Sequence, residues 1–220
     1  YERNYKDIEI KHINNRSNSE TASQLLKYDS IHGKFNCEVK NDNKHLILKN
    51  KKITYSQHTN LEDINWKKYG VDYVLECTGK FNSKEKLIPH IKNGAKKIIV
   101  SAPCKQSDKT VVFGVNENEL NTKKYRVYSS SICDTIALAP ILNLINKMNE
   151  IESGFLTTLH PWLSYQNLLD GPSVSWSQPG DINSHYALGR ASTENLIPKS
   201  TSAVLAANLV FPGIKDVIES

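Results

Sequence analysis

Two residues of this 220-residue chain have the types and settings of a nucleophile and its base. Cys133 lies in Ser129-Ser130-Ser131-Ile132-Cys133-Asp134-Thr135, where a strand-like stretch from Arg126 to Tyr128 gives way to an apolar helical pattern running from Cys133 to about Met148. A cysteine at a helix start faces unpaired N–H groups and the positive end of the macrodipole, both of which favour the thiolate. His160 stands 27 positions on, at the end of the strand pattern Gly154 to His160. The carboxyl ends of strands are where α/β proteins build sites, and a Cys/His pair is the pattern of nucleophilic catalysis. A buried, inert cysteine is the commoner use of that residue, and the helix start together with the histidine sets Cys133 apart. His12, His32, His45, His58, His90 and His185 lie in polar contexts and read as surface residues. Cys37, Cys77 and Cys104 form no CxxC pair with one another or with Cys133, which argues against a structural metal or a disulfide framework and suits a reducing cytoplasm.

The elements that must carry these residues alternate. Ile8 to Ile13 reads as a strand and Ser19 to Tyr28 as a helix capped by Ser19. Lys34 to Lys40, Leu46 to Leu48 and Ile53 to Ser56 read as a small antiparallel insertion, separated by the turn sequences Asn41-Asp42-Asn43 and Asn50-Lys51. A strand from Val71 to Leu75, a helix from Ser83 to Asn93 that accommodates Pro89, and strands at Ile98 to Val100, Val111 to Phe113 and Arg126 to Tyr128 follow. The order predicts an α/β fold with a mostly parallel sheet. Cys77-Thr78-Gly79 and Ser101-Ala102-Pro103 are small-residue turns at strand ends, where a ligand can approach the backbone. From Pro161 to Gly189 periodicity fades, and the segment reads as a long ordered loop or lid beside a site.

Composition sets the outer bounds. With 39% hydrophobic and 23% charged residues the chain can bury a core, and no apolar run is long enough to span a bilayer. A net charge of +5 comes from lysines scattered in short pairs, which describes a solvated surface rather than a nucleic-acid stripe. No GxGxxG occurs, so the usual dinucleotide fingerprint is missing.

As an ordered set, Leu26-Lys27-Tyr28-Asp29-Ser30-Ile31-His32-Gly33-Lys34-Phe35, Thr78-Gly79-Lys80-Phe81, Gly94-Ala95-Lys96-Lys97, Ser101-Ala102-Pro103, Gly114-Val115-Asn116, Thr157-Thr158-Leu159-His160 and Ile197-Pro198-Lys199-Ser200-Thr201 resemble the glyceraldehyde-3-phosphate dehydrogenases over nearly the whole chain. The resemblance implies a Rossmann-type doubly wound domain for NAD or NADP over residues 1–132, lacking its first strand and Gly-rich loop, and part of an α+β catalytic domain over 133–220. It implies that about a third of a family chain lies beyond Tyr1 and Ser220. It also implies a homotetramer acting on a small aldehyde. Cys133 would add to the aldehyde, His160 would take the proton as hydride leaves, and the Cys133 N–H would help hold the oxyanion, a contribution of a few kcal/mol in typical cases.

The departures from the family pattern cluster on phosphate recognition. Ile132 and Asp134 replace the hydroxyl residues flanking the nucleophile, and a carboxylate beside a phosphate dianion is repelled by about 1–4 kcal/mol at surface-like dielectric. Asp134 also opposes the thiolate of Cys133. Leu163 takes the place of a threonine that would hold the substrate's own phosphate, and Leu188 that of an arginine, with Arg190 matching its neighbour. Thr201 keeps the distal hydroxyl, and the loop carrying Trp176 is longer than usual. At the cofactor, Asn15 stands for the acidic ribose residue and Arg16 follows it, admitting NADP as well as NAD. Cys77, Thr78, Gly79 and Ser101 would line that site, and Thr59 replaces an adenine-contacting arginine.

The leading expectation is therefore an NAD(P)-dependent aldehyde oxidoreductase with altered phosphate sites, whose thioester is cleaved by water or whose substrate lacks the usual phosphate. A catalytically lapsed binding or scaffold protein and a nucleotide-independent cysteine acyl hydrolase are the alternatives.

Overall fold

In a computed structural model the described residues are 5–163, 166–174, 182–183, 189–198 and 200–220. In chain order the elements are β1 (His12–Asn14), α1 (Ser19–Lys27), β2 (Tyr28–Asp29), β3 (Gly33–Lys34), β4 (Val39–Asp42), β5 (His45–Leu48), β6 (Lys51–Ser56), α2 (Trp66–Tyr69), β7 (Tyr73–Glu76), α3 (Lys84–Lys92), β8 (Lys97–Val100), β9 (Lys109–Thr110), β10 (Val127–Ser129), α4 (Cys133–Met148), β11 (Gly154–Phe155), β12 (Ser173–Val174), β13 (Ile182–Asn183), α5 (Ala203–Asn208) and β14 (Ile218–Glu219). The architecture is Rossmann-type α/β. Contacts divide the chain into two compact units, residues 1–75 with 85–98, and 76–84 with 99–220.

In the first unit β1 pairs in parallel with β6, and β6, β5 and β4 form the expected antiparallel insertion. The β5–β6 hairpin turns on Lys49 and Asn50, both at positive φ (47° and 64°), as a two-residue turn with the right-handed strand twist requires. Asn18, not Ser19, caps α1: its side chain accepts from the Thr21 N–H, while Ser19 is buried and donates to the Asp42 carbonyl at 2.7 Å. Val39, Leu48 and Ile53 form the core of this insertion.

Two histidines leave the surface expected of them. His90 is 1% exposed and accepts a hydrogen bond from Trp66 Nε1 at 2.9 Å. His12 is half-buried, stacked on Tyr69 at 3.8 Å, with ring nitrogens 2.8 Å from Thr54 Oγ1 and from Ser56 Oγ. A histidine with satisfied nitrogens packs as an aromatic, which polar sequence neighbours do not disclose. His45 is half-buried and paired with Asp42, His32 and His58 are exposed, and His185 lies outside the described residues.

In the second unit the ends of β7 and β8 belong to a sheet of order β7-β8-β10-β9, with β9 and β10 parallel. The core joins Val112, Ala139, Leu142, Val204, Ala207, Val210, Ile214 and Ile218, which clamps α4 against α5 and the C-terminal residues. The strand expected at Val111 to Phe113 is replaced by β9 just before it, with Val112 turned into this core. The strand expected from Gly154 to His160 is paired only at Gly154 and Phe155, parallel to Ile218 and Glu219 of β14. His160 is therefore carried by irregular chain beyond β11. In the Pro161–Gly189 loop, β12 and β13 pair antiparallel, while Trp176 and Leu188 lie outside the described residues.

Candidate active site

The approach to α4 is a serine-rich turn. Ser129 Oγ donates to the Ala102 carbonyl at 2.8 Å and accepts from the Ser131 N–H at 3.1 Å, and Ser130 N bonds the Val100 carbonyl at 2.9 Å. These contacts hold Ser131 at φ +67°, a left-handed conformation that costs a serine of order 1–3 kcal/mol and that recurs at functional sites. Ser131 is 3% exposed, and its hydroxyl has no hydrogen-bond partner among the described residues. Ile132 occupies the N-cap with extended backbone and no side-chain cap, so the first N–H groups of α4 stay available beside Cys133. Sequence reading missed the roles of Ser129 and Ser131. The Ser-Ser-Ser run before the helix was the available signal.

Asp134 is the hub. Its Oδ1 lies 3.1 Å from His160 Nε2 and 3.8 Å from Cys133 Sγ, and its Oδ2 accepts from Thr201 Oγ1 at 3.3 Å. Thr201 Oγ1 in turn accepts from the Ala203 N–H at 3.1 Å, and Thr135 Oγ1 donates to the Ala203 carbonyl at 3.3 Å, tying the start of α5 to the start of α4. Cys133 is exposed, His160 is 39% exposed at its side chain and Asp134 15%. The carboxylate sits in the first turn of α4, where the macrodipole stabilises negative charge. Thus Cys133, His160, Asp134 and Thr201 come together, with Ile132 adjacent. Leu163 is 42% exposed, its N–H donating to Gln166 Oε1 at 2.6 Å, and Arg190 is held in an exposed ion pair with Asp170 at 3.0 Å.

Among the expected cofactor residues, Cys77, Thr78 and Gly79 form an exposed turn after β7, with Gly79 at φ +71° and open space around it. Glu76, 5% exposed, organises this turn: its Oε1 accepts from the Thr78 N–H at 2.8 Å and from the Thr78 hydroxyl, while its carbonyl accepts from the Ser101 N–H at 3.0 Å. Glu76 was not singled out by sequence. A lone acidic residue closing an apolar strand was its only mark. Asn15 and Arg16 are exposed just beyond β1 in the first unit, with Asn15 Oδ1 accepting from the Arg16 N–H at 2.7 Å, and Thr59 is exposed. No helix among the described residues is long and apolar enough to cross a membrane.

Comparison with known proteins gives matches over most of the chain. Residues 2–84 match the model described as glyceraldehyde 3-phosphate dehydrogenase, NAD binding domain, and residues 132–220 that of the C-terminal domain. The chain is 36% identical over 208 residues to glyceraldehyde-3-phosphate dehydrogenase 2 of Bacillus subtilis (94% of this chain, 58% of that protein). It is 38% identical over 215 residues to the Lactobacillus delbrueckii subsp. bulgaricus enzyme (97% and 61%), and 38% over 210 residues to that of Thermotoga maritima (96% and 60%). It thus spans about three fifths of the length of these relatives. With both domain models matched in order, the chain belongs to the glyceraldehyde-3-phosphate dehydrogenase family.

Proposed function

We propose that the protein is an NAD(P)-dependent oxidoreductase that oxidises an aldehyde through a thiohemiacetal on Cys133, and that water rather than inorganic phosphate releases the acyl group. The observation that carries this reading is the meeting of Cys133, Asp134 and His160, whose ligating atoms lie within 4.8 Å of one another at the start of α4. The division proposed with it gives residues 1–132 the nucleotide and 133–220 the chemistry. Bound NAD or NADP supplies the hydride acceptor. Asn15 brings no charge against a 2′-phosphate, exposed Arg16 can pair with one, and the open space around Gly79 leaves the Cys77–Gly79 turn approachable.

The Cys133 thiolate adds to the aldehyde carbon, and the Cys133 N–H helps hold the oxyanion. Protonated His160 gives its proton to that oxygen and takes it back as hydride departs, leaving a thioester, and Asp134, 3.1 Å away, stabilises the imidazolium. His160 then releases that proton to solvent and, neutral again, takes a proton from the water that adds to the thioester carbonyl. The C–S bond breaks, the thiolate returns and a carboxylate leaves. Water is favoured over phosphate because Asp134 replaces a hydroxyl residue and also engages Thr201, so the hydroxyl kept for an anion is turned onto a carboxylate. Ile132 adds no donor.

An aldehyde panel with both nucleotides tests the reading. Nucleotide reduction that is abolished by Cys133→Ala and lowered at least about 100-fold by His160→Asn supports it. Tight nucleotide binding without any aldehyde-dependent reduction would overturn it in favour of a binding protein. A second reading, a cysteine acyl hydrolase, is favoured by the Asp134–His160 pair itself, and ester cleavage without nucleotide would identify it.

The proposal includes assembly of further copies, a tetramer in the family pattern, which sedimentation checks. The free cysteines are compatible with the proposed cytoplasmic setting.

A further inference from the structure

We infer that Cys133, Asp134 and His160 form a binding site for a zinc-class divalent cation, whose occupancy masks the nucleophile. Zinc bonds of about 2.0–2.1 Å to nitrogen and oxygen and about 2.3 Å to sulfur, set at tetrahedral angles, require donor–donor separations of roughly 3.3–3.6 Å. The observed separations, 3.1 Å between Asp134 Oδ1 and His160 Nε2 and 3.8 Å between Asp134 Oδ1 and Cys133 Sγ, bracket that range. The three donor atoms lie within 4.8 Å of one another, so small side-chain rotations bring them onto one ion.

The donor set selects the metal. One thiolate, one imidazole and one carboxylate make a borderline-soft trio that suits zinc and disfavours magnesium and calcium, which prefer all-oxygen shells. Thiolate and carboxylate together carry the charge that neutralises a dication, offsetting the unfavourable positive end of α4. The outer contacts are also in place. Thr201 Oγ1 donates to Oδ2 of Asp134 and leaves Oδ1 directed to the cluster, and the Ala203 N–H fixes Thr201. Such partners orient first ligands and typically contribute 10–100-fold in metal affinity. Three protein ligands leave a fourth position for water. A cation held this way occupies the sulfur that must attack the carbonyl, so the site would act as a reversible block. It shares residues with the proposed active centre, but its binding can be measured without any turnover.

Zinc ion alone is titrated calorimetrically into the full chain, with cobalt as a spectroscopic substitute. The expected result is one site per chain, a thiolate-to-cobalt charge-transfer absorption, and alkylation of Cys133 that slows with zinc and recovers with a chelator. Cys133→Ser should remove the charge-transfer band, and Asp134→Thr should weaken zinc at least about 10-fold while circular dichroism stays native. His45→Asn serves as a control that leaves binding unchanged. Absence of zinc binding, or binding that Cys133→Ser and Asp134→Thr leave intact, would overturn the inference whatever the outcome of the aldehyde assays.

Discussion

Thr201 and Asp134, 67 positions apart in sequence, are joined by a hydrogen bond in which Thr201 Oγ1 donates to Asp134 Oδ2 at 3.3 Å. The same carboxylate faces His160 Nε2 and Cys133 Sγ with its other oxygen. A single side chain thus connects Cys133, His160 and Thr201, the residues proposed as nucleophile, base and anion-binding hydroxyl.

Replacing that carboxylate should change what cleaves the thioester. In the wild type, inorganic phosphate should leave aldehyde oxidation unaltered, with the free acid as product. Asp134→Thr frees Thr201 and removes the repulsion, so phosphate should stimulate turnover about 10-fold or more and shift the product to an acyl phosphate. Product analysis with and without phosphate measures this, and strong phosphate stimulation of the wild type would contradict the water route.

Arg16 should decide between nucleotides. A charge-assisted contact to a 2′-phosphate is worth about 1.5–3 kcal/mol, so Arg16→Ala should weaken NADP by about 10-fold or more while leaving NAD within about twofold. Equilibrium binding of the two nucleotides to both proteins checks it. Equal losses would mean that Arg16 does not face the phosphate.

His12 should give the first unit an acid-sensitive stability. Burial, followed by the charge of His58, pushes the His12 pKa down to about 4 from an ordinary 6.5. The unfolded chain therefore binds a proton that the folded chain resists between those values. Stability falls as pH drops from about 6.5 to 4 and is flat above, by about 1–2 kcal/mol after allowance for solvent around this half-buried ring. Denaturant melts across this window should show a slope that His12→Gln flattens.

Gly94 is fixed by its surroundings. It ends the turn after α3 at φ +110°, and a Cβ there would lie 2.7 Å from the Lys67 backbone nitrogen and Cβ. Gly94→Ala combines left-handed strain with a backbone clash and should cost about 2–4 kcal/mol. A thermal melt compares the proteins, and a change below 0.5 kcal/mol would be inconsistent with this packing.

Much of the frame was legible in the chain itself. The apolar pattern fixed α4 as Cys133–Met148, and the turn sequences marked the β4–β5–β6 insertion, because period and turn chemistry are local properties. The ordered motifs identified the family, and the identity of residue 134 announced a charge beside the cysteine. The burial of His12 and His90 and the short helices α2 and α5 depended on partners far along the chain, which no local window contains. Sequence determined that Cys133 stands at a helix start with an acidic neighbour and that His160 follows 27 positions on. Only the packing of α4 against α5, and the path of the chain beyond β11, decided that His160 and Thr201 converge on Asp134, since contacts across such separations are set by a shared core rather than by the residues next to them.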